Sequence, residues 1–324
     1  MVASAAPRSL LVVFLALPAL ASCVTVVVTA ATGKVGLPLF KQLVADGDGV
    51  DAVALVRSTT EQLQQVLSDG GDAIEVPDYC EAAAVERAFA QISAPSFRLY
   101  LACGNSPAQE KAELTVLRAA VATGRCEYIV KLSTVGAVLR MQSGGPYKAH
   151  LAVEAALKAG RVPHTILRPN MFMQMAAFPG VGLGGQLTPD ASVVAHPYAE
   201  RSISMVAAED VARVAATLLR TMPDDDAAGA VLDLTGPDAR SYSDLARIVS
   251  RLRPPASPRV TCEATSFEEH APAAGLRSFL EVLGGVSEVT DEVRRVTGAP
   301  ATSLDDFVEA HLELFGLTAA DDGK

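Results

Sequence analysis

One segment near the N-terminus constrains the fold of this chain more than any other. The β-branched run 24–29 meets a glycine-spaced turn from Ala30 to Gly36, and an amphipathic stretch follows. This order predicts a strand, a tight turn and a helix, which together place a pyrophosphate over a helix N-terminus. Ala30 occupies the position where glycine is usual, and its Cβ is costly only if the turn requires a positive φ. The alternative is an ordinary strand–helix turn in which Gly33 and Gly36 are only structural.

The next strand favours the binding interpretation. The run 52–56 is apolar and ends at Arg57, with no acidic residue at that point. An acid there would accept from a ribose 2′-hydroxyl, whereas an arginine pairs with a 2′-phosphate. The sequence therefore predicts NADPH rather than NADH as cofactor, unless Arg57 is a solvated charge at the strand end.

Composition excludes several classes of protein. The chain has 324 residues, a net charge of −10 and no Lys/Arg-rich run, which argues against nucleic-acid binding. Its five cysteines and five histidines are dispersed, so neither a disulfide framework nor a metal site is predicted. A hydrophobic content of 50% is typical of a globular protein with a sizeable core.

The first 22 residues have the parts of a secretory signal. Arg8 precedes a short apolar run, and small residues lead to Cys23, as in an imperfect lipoprotein cleavage box. The run is too short for a stable membrane span. A nicotinamide cofactor favours a cytoplasmic or organellar location, so the location stays unknown and export or lipid anchoring stays open. We expect residues 1–22 to lie outside the fold.

Strand-like and helix-like segments alternate from residue 24 to residue 168. Alternation of this kind predicts βαβ units and a doubly wound parallel sheet. The predicted strands are 24–29, 51–56, 73–76, 97–102, 127–133 and 163–168; the predicted helices are 34–46, 59–68 (with Ser58 and Glu61 as a capping box), 80–91, 107–123 and 147–159.

The regularity breaks after Pro169. Residues 177–200 are rich in Gly, Pro and Ala and are expected to form a long functional loop. Strands near 202–206, 230–235 and 259–264 and helices at 209–220 and 242–252 should follow, with Ser303 capping a later helix. We predict a dinucleotide-binding domain over 23–170 and a small C-terminal α+β lobe over 171–324, some of whose elements return to the first core.

The chain resembles the NmrA-like family of atypical short-chain dehydrogenases, which includes triphenylmethane reductase and NADPH-dependent quinone reductases. The resemblance spans roughly residues 24–316. It is carried by the order and spacing of segments 28–36, 54–57, 129–133, 163–170, 234–237, 289–293, 297–298 and 307–308. It implies a Rossmann domain with a small C-terminal lobe and a substrate between the two.

The resemblance also implies a set of cofactor contacts. The turn would hold the pyrophosphate, Arg57 the 2′-phosphate and Asp78 the adenine. Ala102 and Cys103 would pass near the ribose. Pro169, Asn170 and Phe172 would line the nicotinamide side, and Ser133 lies where family members place a substrate-binding serine. The full set of predicted cofactor-binding residues is Ala30, Thr32, Gly33, Lys34, Val35, Gly36, Arg57, Asp78, Ala102, Cys103, Ser133, Pro169, Asn170 and Phe172.

The catalytic residues depart from the ordinary pattern. Short-chain dehydrogenases use a Tyr-x-x-x-Lys pair, but Tyr147 is followed four residues later by Leu151. In related benzylic ether reductases a lysine lies on the same helix, at the position of His150 here, with Lys148 two residues earlier. His150 could donate a proton near neutral pH, with an exposed or capping role as the alternative. Lys148 is the second catalytic candidate, or only a phosphate or ribose contact.

The sequence thus predicts an NADPH-dependent reductase of a quinone-like or aromatic acceptor. The absence of the Tyr-x-x-x-Lys pair argues against carbonyl reduction more than against quinone reduction, since a quinone can take its proton from solvent. Met171, Met173, Met175 and Phe178 would provide a flexible apolar lining or belong to the core. The alternative is a cofactor-sensing regulator that binds a partner protein, and a homodimer is also open.

Overall fold

The β-branched run near the N-terminus forms the centre of a parallel sheet. We describe a computed structural model over residues 23–45, 49–135, 147–223, 229–271, 273, 277, 280–281 and 286–317, so the signal-like segment 1–22 lies outside the described residues. Strand β1 (Val24–Thr29) is buried over almost its whole length. Burial on both faces explains its near-continuous apolar sequence.

The elements alternate as the sequence predicts. In chain order they are β1, α1 (Gly36–Ala45), β2 (Val50–Val56), α2 (Glu61–Ser68), β3 (Asp72–Glu75), α3 (Ala82–Gln91), β4 (Phe97–Leu101), α4 (Gln109–Ala122), β5 (Cys126–Leu132), α5 (Tyr147–Ala159), β6 (His164–Pro169), a 3₁₀ turn (Met173–Ala177), β7 (Val193–His196), α6 (Ala208–Thr221), β8 (Val231–Leu234), α7 (Tyr242–Leu252), β9 (Thr261–Ala264), α8 (Phe267–His270), α9 (Glu292–Thr297), α10 (Leu304–Ala310) and a second 3₁₀ turn (Leu312–Phe315).

Seven strands form one sheet in the order β3-β2-β1-β4-β5-β6-β8, and every pair is parallel. The strand order reverses between β1 and β4, and this switch point opens a crevice at the carboxyl ends of both strands. The predicted doubly wound α/β fold is confirmed. The crevice is where a ligand of such a sheet binds.

Alternate residues of the strands enter two cores. Val26 and Val28 pack with α1, α6 and α9 on one face, and Val27 packs with α3, α4 and α5 on the other. This alternation follows from the two-residue period of a strand. Helix α6 and strand β8 follow residue 170 in the chain but contribute to the first of these cores.

A third core lies in the C-terminal lobe. Strands β7 and β9 form a parallel pair there, and helices α7 and α10 pack with them. The His196 ring stacks on Tyr242 at 3.4 Å between centroids. The lobe begins beside the carboxyl edge of the large sheet, since Met171 and Met173 directly follow β6 and belong to its core.

Four local predictions differ from the structure. Helix α1 begins at Gly36 rather than at residue 34, because residues 30–35 form the turn. The cap of α2 is Thr60, whose hydroxyl accepts from the Leu63 amide, rather than Ser58. The loop predicted over 177–200 contains β7, which gains its partner from β9 far along the chain. No strand forms over 202–206, where the described backbone makes only isolated bridges at Ile203 and Val206.

Candidate functional site

The turn between β1 and α1 depends on a close backbone approach. A Cβ at Gly36 would lie 2.1 Å from the Ala30 carbonyl oxygen, so only glycine fits there. The amide of Gly33 donates to the same oxygen at 2.8 Å. Ala30 itself has a φ of +50°, a conformation that costs an L-residue about 1–2 kcal/mol. The turn therefore does require the positive φ that alanine adopts at a cost.

The side chains beyond the carboxyl ends of β2 and β3 are exposed. Arg57 directly follows β2, and Asp78 lies just beyond β3, where its Oδ1 accepts from the Cys80 amide at 2.8 Å. Thr32 and Lys34 are exposed residues of the turn, whereas Val35 is buried. Arg57 and Asp78 therefore present one exposed charge of each sign.

The floor of the crevice is held from both sides. The Thr29 hydroxyl lies 2.7 Å from the Ala102 carbonyl and accepts from the Ala102 amide at 2.8 Å. The next amide, that of Cys103, donates to Glu113 Oε1 at 3.0 Å. Burial is the main cause that raises the pKa of the Cys103 thiol to about 12, so the group is neutral. These bonds fix the backbone at the carboxyl end of β4.

A cavity of about 360 Å³ continues from this floor along the ends of β5 and β6. Its walls are mainly apolar, and its volume is in the range of small-molecule sites. The lining residues are Lys34, Ala102, Cys103, Asn105, Leu132, Ser133, Thr134, Val135, His150, Pro169, Asn170, Met171, Phe172, Met175, Phe178 and Val181. The Lys34 ammonium lies 5.3 Å from the centre of the Phe178 ring, across the mouth.

Ser133 contacts an ion pair whose carboxylate is buried. Its hydroxyl donates to Glu154 Oε1 at 2.7 Å, and its amide donates to the Leu167 carbonyl at 2.7 Å. Arg168 donates to both oxygens of Glu154, at 3.0 and 2.5 Å. Burial alone would raise the pKa of Glu154, but the hydrogen bonds from Arg168 and Ser133 outweigh it and hold that pKa below its ordinary value.

A second buried ion pair lies behind His150. Lys131 and Glu113 are both fully buried, and Nζ lies 2.7 Å from Oε2. The same ammonium contacts the Leu132 carbonyl and lies 3.2 Å from His150 Nδ1. The other ring nitrogen of His150 lies 3.3 Å from the Gln109 side-chain nitrogen. A neutral imidazole accepts at one nitrogen only, so Nδ1 accepts from the Lys131 ammonium and the second ring nitrogen carries the N–H.

The structure changes the expected behaviour of the two catalytic candidates. Burial, and then the Lys131 ammonium, lower the pKa of His150 to about 2. The ring is neutral at physiological pH, and the expectation that it titrates near neutrality is wrong for this site. Lys148 is exposed at the start of α5 and is not among the cavity-lining residues.

Asn170 organises the junction with the lobe. Its amide nitrogen donates to Ser204 Oγ at 2.8 Å and to the Val286 carbonyl at 3.1 Å. Its Oδ1 accepts from the Met171 amide at 2.8 Å. The flanking Pro169 and Phe172 lie against the cavity.

The structure brings about half of the predicted site residues together. Eight of them line the cavity: Lys34, Ala102, Cys103, Ser133, His150, Pro169, Asn170 and Phe172. The other eight lie outside its lining: Ala30, Thr32, Gly33, Val35, Gly36, Arg57, Asp78 and Lys148. Sequence reasoning missed Asn105, Thr134 and the ion pair behind His150. The one available signal was Lys131 itself, a charge inside an apolar strand, which must have a buried partner.

The described ranges of the chain contain neither a helix that could cross a membrane nor a cluster that could hold a metal ion. No helix there combines the length and the apolar character that crossing a bilayer requires. No three His, Cys, Asp or Glu side chains in those ranges are grouped so as to hold a metal ion.

Comparison with known proteins adds a sequence relationship. Residues 30–222 match the sequence model of a family described as NAD(P)H-binding. An uncharacterised oxidoreductase of Bacillus subtilis, YesF, is 29% identical over 161 residues. That match covers 45% of this chain, and the chain spans about half the length of the relative, 53%.

Solved structures share the fold. Triphenylmethane reductase of Citrobacter sp., complexed with NADP(H), has a TM-score of 0.71 at 20% identity, over 89% of this chain and 99% of that one. The NADPH-dependent quinone oxidoreductase QOR2 of Escherichia coli, complexed with NADPH, gives the same values. The negative transcriptional regulator NmrA, complexed with NAD, has a TM-score of 0.71 at 17% identity, over 91% and 98% of the chains. At these identities the likeness shows the fold alone.

Proposed function

The chain belongs to the NAD(P)H-binding family, and from that premise we propose that it is an NADPH-dependent oxidoreductase that transfers a hydride to a quinone-like or aromatic acceptor. The observation that carries the proposal is the apolar cavity of about 360 Å³ that adjoins the crevice at the β1–β4 switch point. Part of this cavity would take the nicotinamide itself, but its wall of Met171, Met175 and Val181 lies beyond the residues assigned to the cofactor, where a member that only bound the cofactor would need no space.

The residues of the crevice fit a dinucleotide. In this proposal the turn 30–36 holds the pyrophosphate against its backbone, and Gly33 leaves room for that approach. A Cβ at Gly33 would already lie 3.1 Å from the Ala30 oxygen. In this proposal Arg57 pairs with a 2′-phosphate and Asp78 lies beside the adenine. Ala102 and Cys103 pass under the ribose, and Pro169, Asn170 and Phe172 face the nicotinamide.

The chemistry divides between cofactor and protein. A bound nicotinamide cofactor supplies the hydride. The chain orients the acceptor against the apolar wall formed by Met171, Met175 and Val181 and excludes water from the site. In this proposal the proton that a quinone needs comes from solvent, because burial and the Lys131 ammonium keep His150 neutral.

Turnover tests the proposal directly. NADPH oxidation is followed at 340 nm with a panel of quinones and azo dyes, and with simple aldehydes as a matched set. We expect turnover of quinones or dyes and little or none of the aldehydes. Turnover of aldehydes alone, or of no acceptor, would contradict the proposed acceptor class.

A cofactor-sensing regulator is the second candidate. Two observations favour it: Leu151 replaces the lysine of the usual catalytic pair, and the fold matches NmrA as well as it matches the reductases. A protein that binds NADPH tightly yet oxidises it with no acceptor, and captures a partner only when loaded, would support this candidate.

A further inference from the structure

Ser133 occupies the end of β5, where it lines the cavity, and its hydrogen-bonding capacity is already partly used. A hydroxyl carries one proton and two acceptor lone pairs. The proton of Ser133 lies toward Glu154 Oε1 at 2.7 Å, and the Ser133 amide is bonded to the Leu167 carbonyl. Ser133 therefore has no donor left for a ligand.

Glu154 enforces this direction. An ionised carboxylate only accepts hydrogen bonds, so the proton between Ser133 and Glu154 must come from the serine. Arg168 holds Glu154 ionised through two hydrogen bonds from its guanidinium, and Lys158 lies 3.7 Å from the same carboxylate. Glu154 is almost fully buried, so water does not compete for its oxygens.

We propose that Glu154 and Arg168 are positioning residues that fix Ser133 as a hydrogen-bond acceptor, which receives an N–H or O–H group of the ligand in the cavity. The inference rests on the proposed function and deepens it. In this role Ser133 accepts a hydrogen bond from the ligand, whereas a serine that bound a substrate carbonyl would donate one. The donor group belongs either to the carboxamide of the cofactor or to a hydroxyl of the reduced acceptor.

Two probe pairs separate these sources. The first is NADPH and its 3-acetylpyridine analogue, in which a methyl group replaces the amide NH₂. The second is a hydroquinone and its dimethyl ether, each titrated into the NADPH-loaded protein. Calorimetry gives a dissociation constant for each probe, and the ratio within a pair measures the preference for a donor group.

We expect wild type to prefer the donor-bearing probe of one pair by about three- to tenfold, the usual effect of one neutral hydrogen bond. Ser133→Ala should bring that ratio to one, and Ser133→Thr, which keeps the hydroxyl, should preserve it. If the preference disappears for the first pair of probes, the donor group belongs to the cofactor. If it disappears for the second pair, the donor group belongs to the acceptor. If no ratio changes in Ser133→Ala, the inference is overturned.

Glu154→Ala tests the positioning role. Removal of the carboxylate frees the serine proton, so Ser133 can donate to the acetyl or ether oxygen, and the ratio should shrink toward one. If Glu154 had only a structural role, the substitution would weaken the binding of both probes of a pair equally. The ratio of their dissociation constants would then stay unchanged, which would contradict the assignment. Lys158→Ala is the matched control, because Lys158 also contacts Glu154 but is half exposed, and its ratio should equal that of wild type.

Thermal unfolding of each variant comes first. If Glu154→Ala does not fold, the Ser133 variants still decide the question. Failure of the inference is distinguishable from failure of the proposed function. Wild type that binds NADPH with ratios of one in both pairs overturns the inference alone, whereas wild type that does not bind NADPH overturns both.

Discussion

The two ends of the crevice are built in different ways. At the turn end, residues 30–36 place backbone in a fixed path, and the nearby charges of Arg57 and Asp78 are exposed. At the cavity end, the backbone is held by two ion pairs with buried carboxylates, Lys131 with Glu113 and Arg168 with Glu154. The turn end therefore depends on local conformation, and the cavity end depends on contacts between distant side chains. Substitutions at the two ends should fail in different ways.

The largest effect is expected at the cavity end. Lys131→Met leaves the Glu113 carboxylate buried without its partner, which should lower the free energy of unfolding by about 3–5 kcal/mol. Denaturant unfolding measures it. Lys158→Met is the control, since Lys158 is half exposed and should lose less than about 1 kcal/mol. Addition of Glu113→Gln to Lys131→Met should recover part of the loss, and no recovery would contradict the pairing.

At the turn end, Gly36 is the residue that leaves least room for a side chain. Gly36→Ala places a Cβ 2.1 Å from the Ala30 oxygen, which is backbone and cannot rotate away. We expect a loss of about 2–3 kcal/mol in the free energy of unfolding. Gly104→Ala, where a Cβ meets nothing within 4 Å, is the matched control for loss of a glycine. Equal stability of both variants would show that the turn relaxes.

The preference for NADPH over NADH tests the exposed charge of Arg57 at the turn end. Arg57 is exposed, so its pairing with a 2′-phosphate should contribute about 1–2 kcal/mol, or roughly five- to thirtyfold in affinity. Arg57→Ala should reduce the preference for NADPH over NADH by that factor without a change in stability. The two cofactors are titrated into both proteins. A preference that survives the substitution would remove Arg57 from the site.

Acid should weaken both the cavity end and the lobe. Burial is the first cause that lowers the pKa of His150 to about 2 and that of His196 to about 3. Because the folded pKa lies below the unfolded value of about 6.5, the stability that each ring contributes is complete above that pH and falls as the pH drops below it. The slope per ring is at most about 1.4 kcal/mol per pH unit.

Unfolding measured at pH 7, 6, 5 and 4 tests this expectation. His150→Gln should reduce the slope of the unfolding free energy against pH below pH 6.5 by the equivalent of up to one proton. His196→Gln, in the lobe, should reduce the slope by a similar amount. Parallel curves for wild type and His150→Gln would contradict the lowered pKa, because they would mean that the ring takes up its proton equally in the folded and unfolded states.

The comparison also explains which features the sequence could predict. The strand–turn–helix order, the parallel sheet and the glycine requirement at residue 36 are encoded within a few consecutive residues. The cap at Thr60 was misplaced because Ser58 offers the same chemistry two residues earlier. The sequence does not reveal strand β7, because its segment has a loop composition and its partner residues in β9 lie 68 positions further along the chain.

The ion pairs of the cavity end could not be predicted in the same way. Lys131 was visible as a charge inside an apolar strand, but nothing local identifies Glu113 as its partner. The low pKa of His150 is a consequence of burial and then of the Lys131 ammonium, so the type of residue alone suggested a proton donor that the fold does not provide.

The central claim is that this crevice binds a nicotinamide dinucleotide over the turn 30–36. Calorimetric titration of NADPH into wild type and into folded Gly33→Val tests it most directly, because the branched side chain would occupy the place where the pyrophosphate meets backbone. We expect one binding site in wild type and no measurable binding in the variant. Absence of binding to wild type, or equal affinity in both proteins, would contradict the claim.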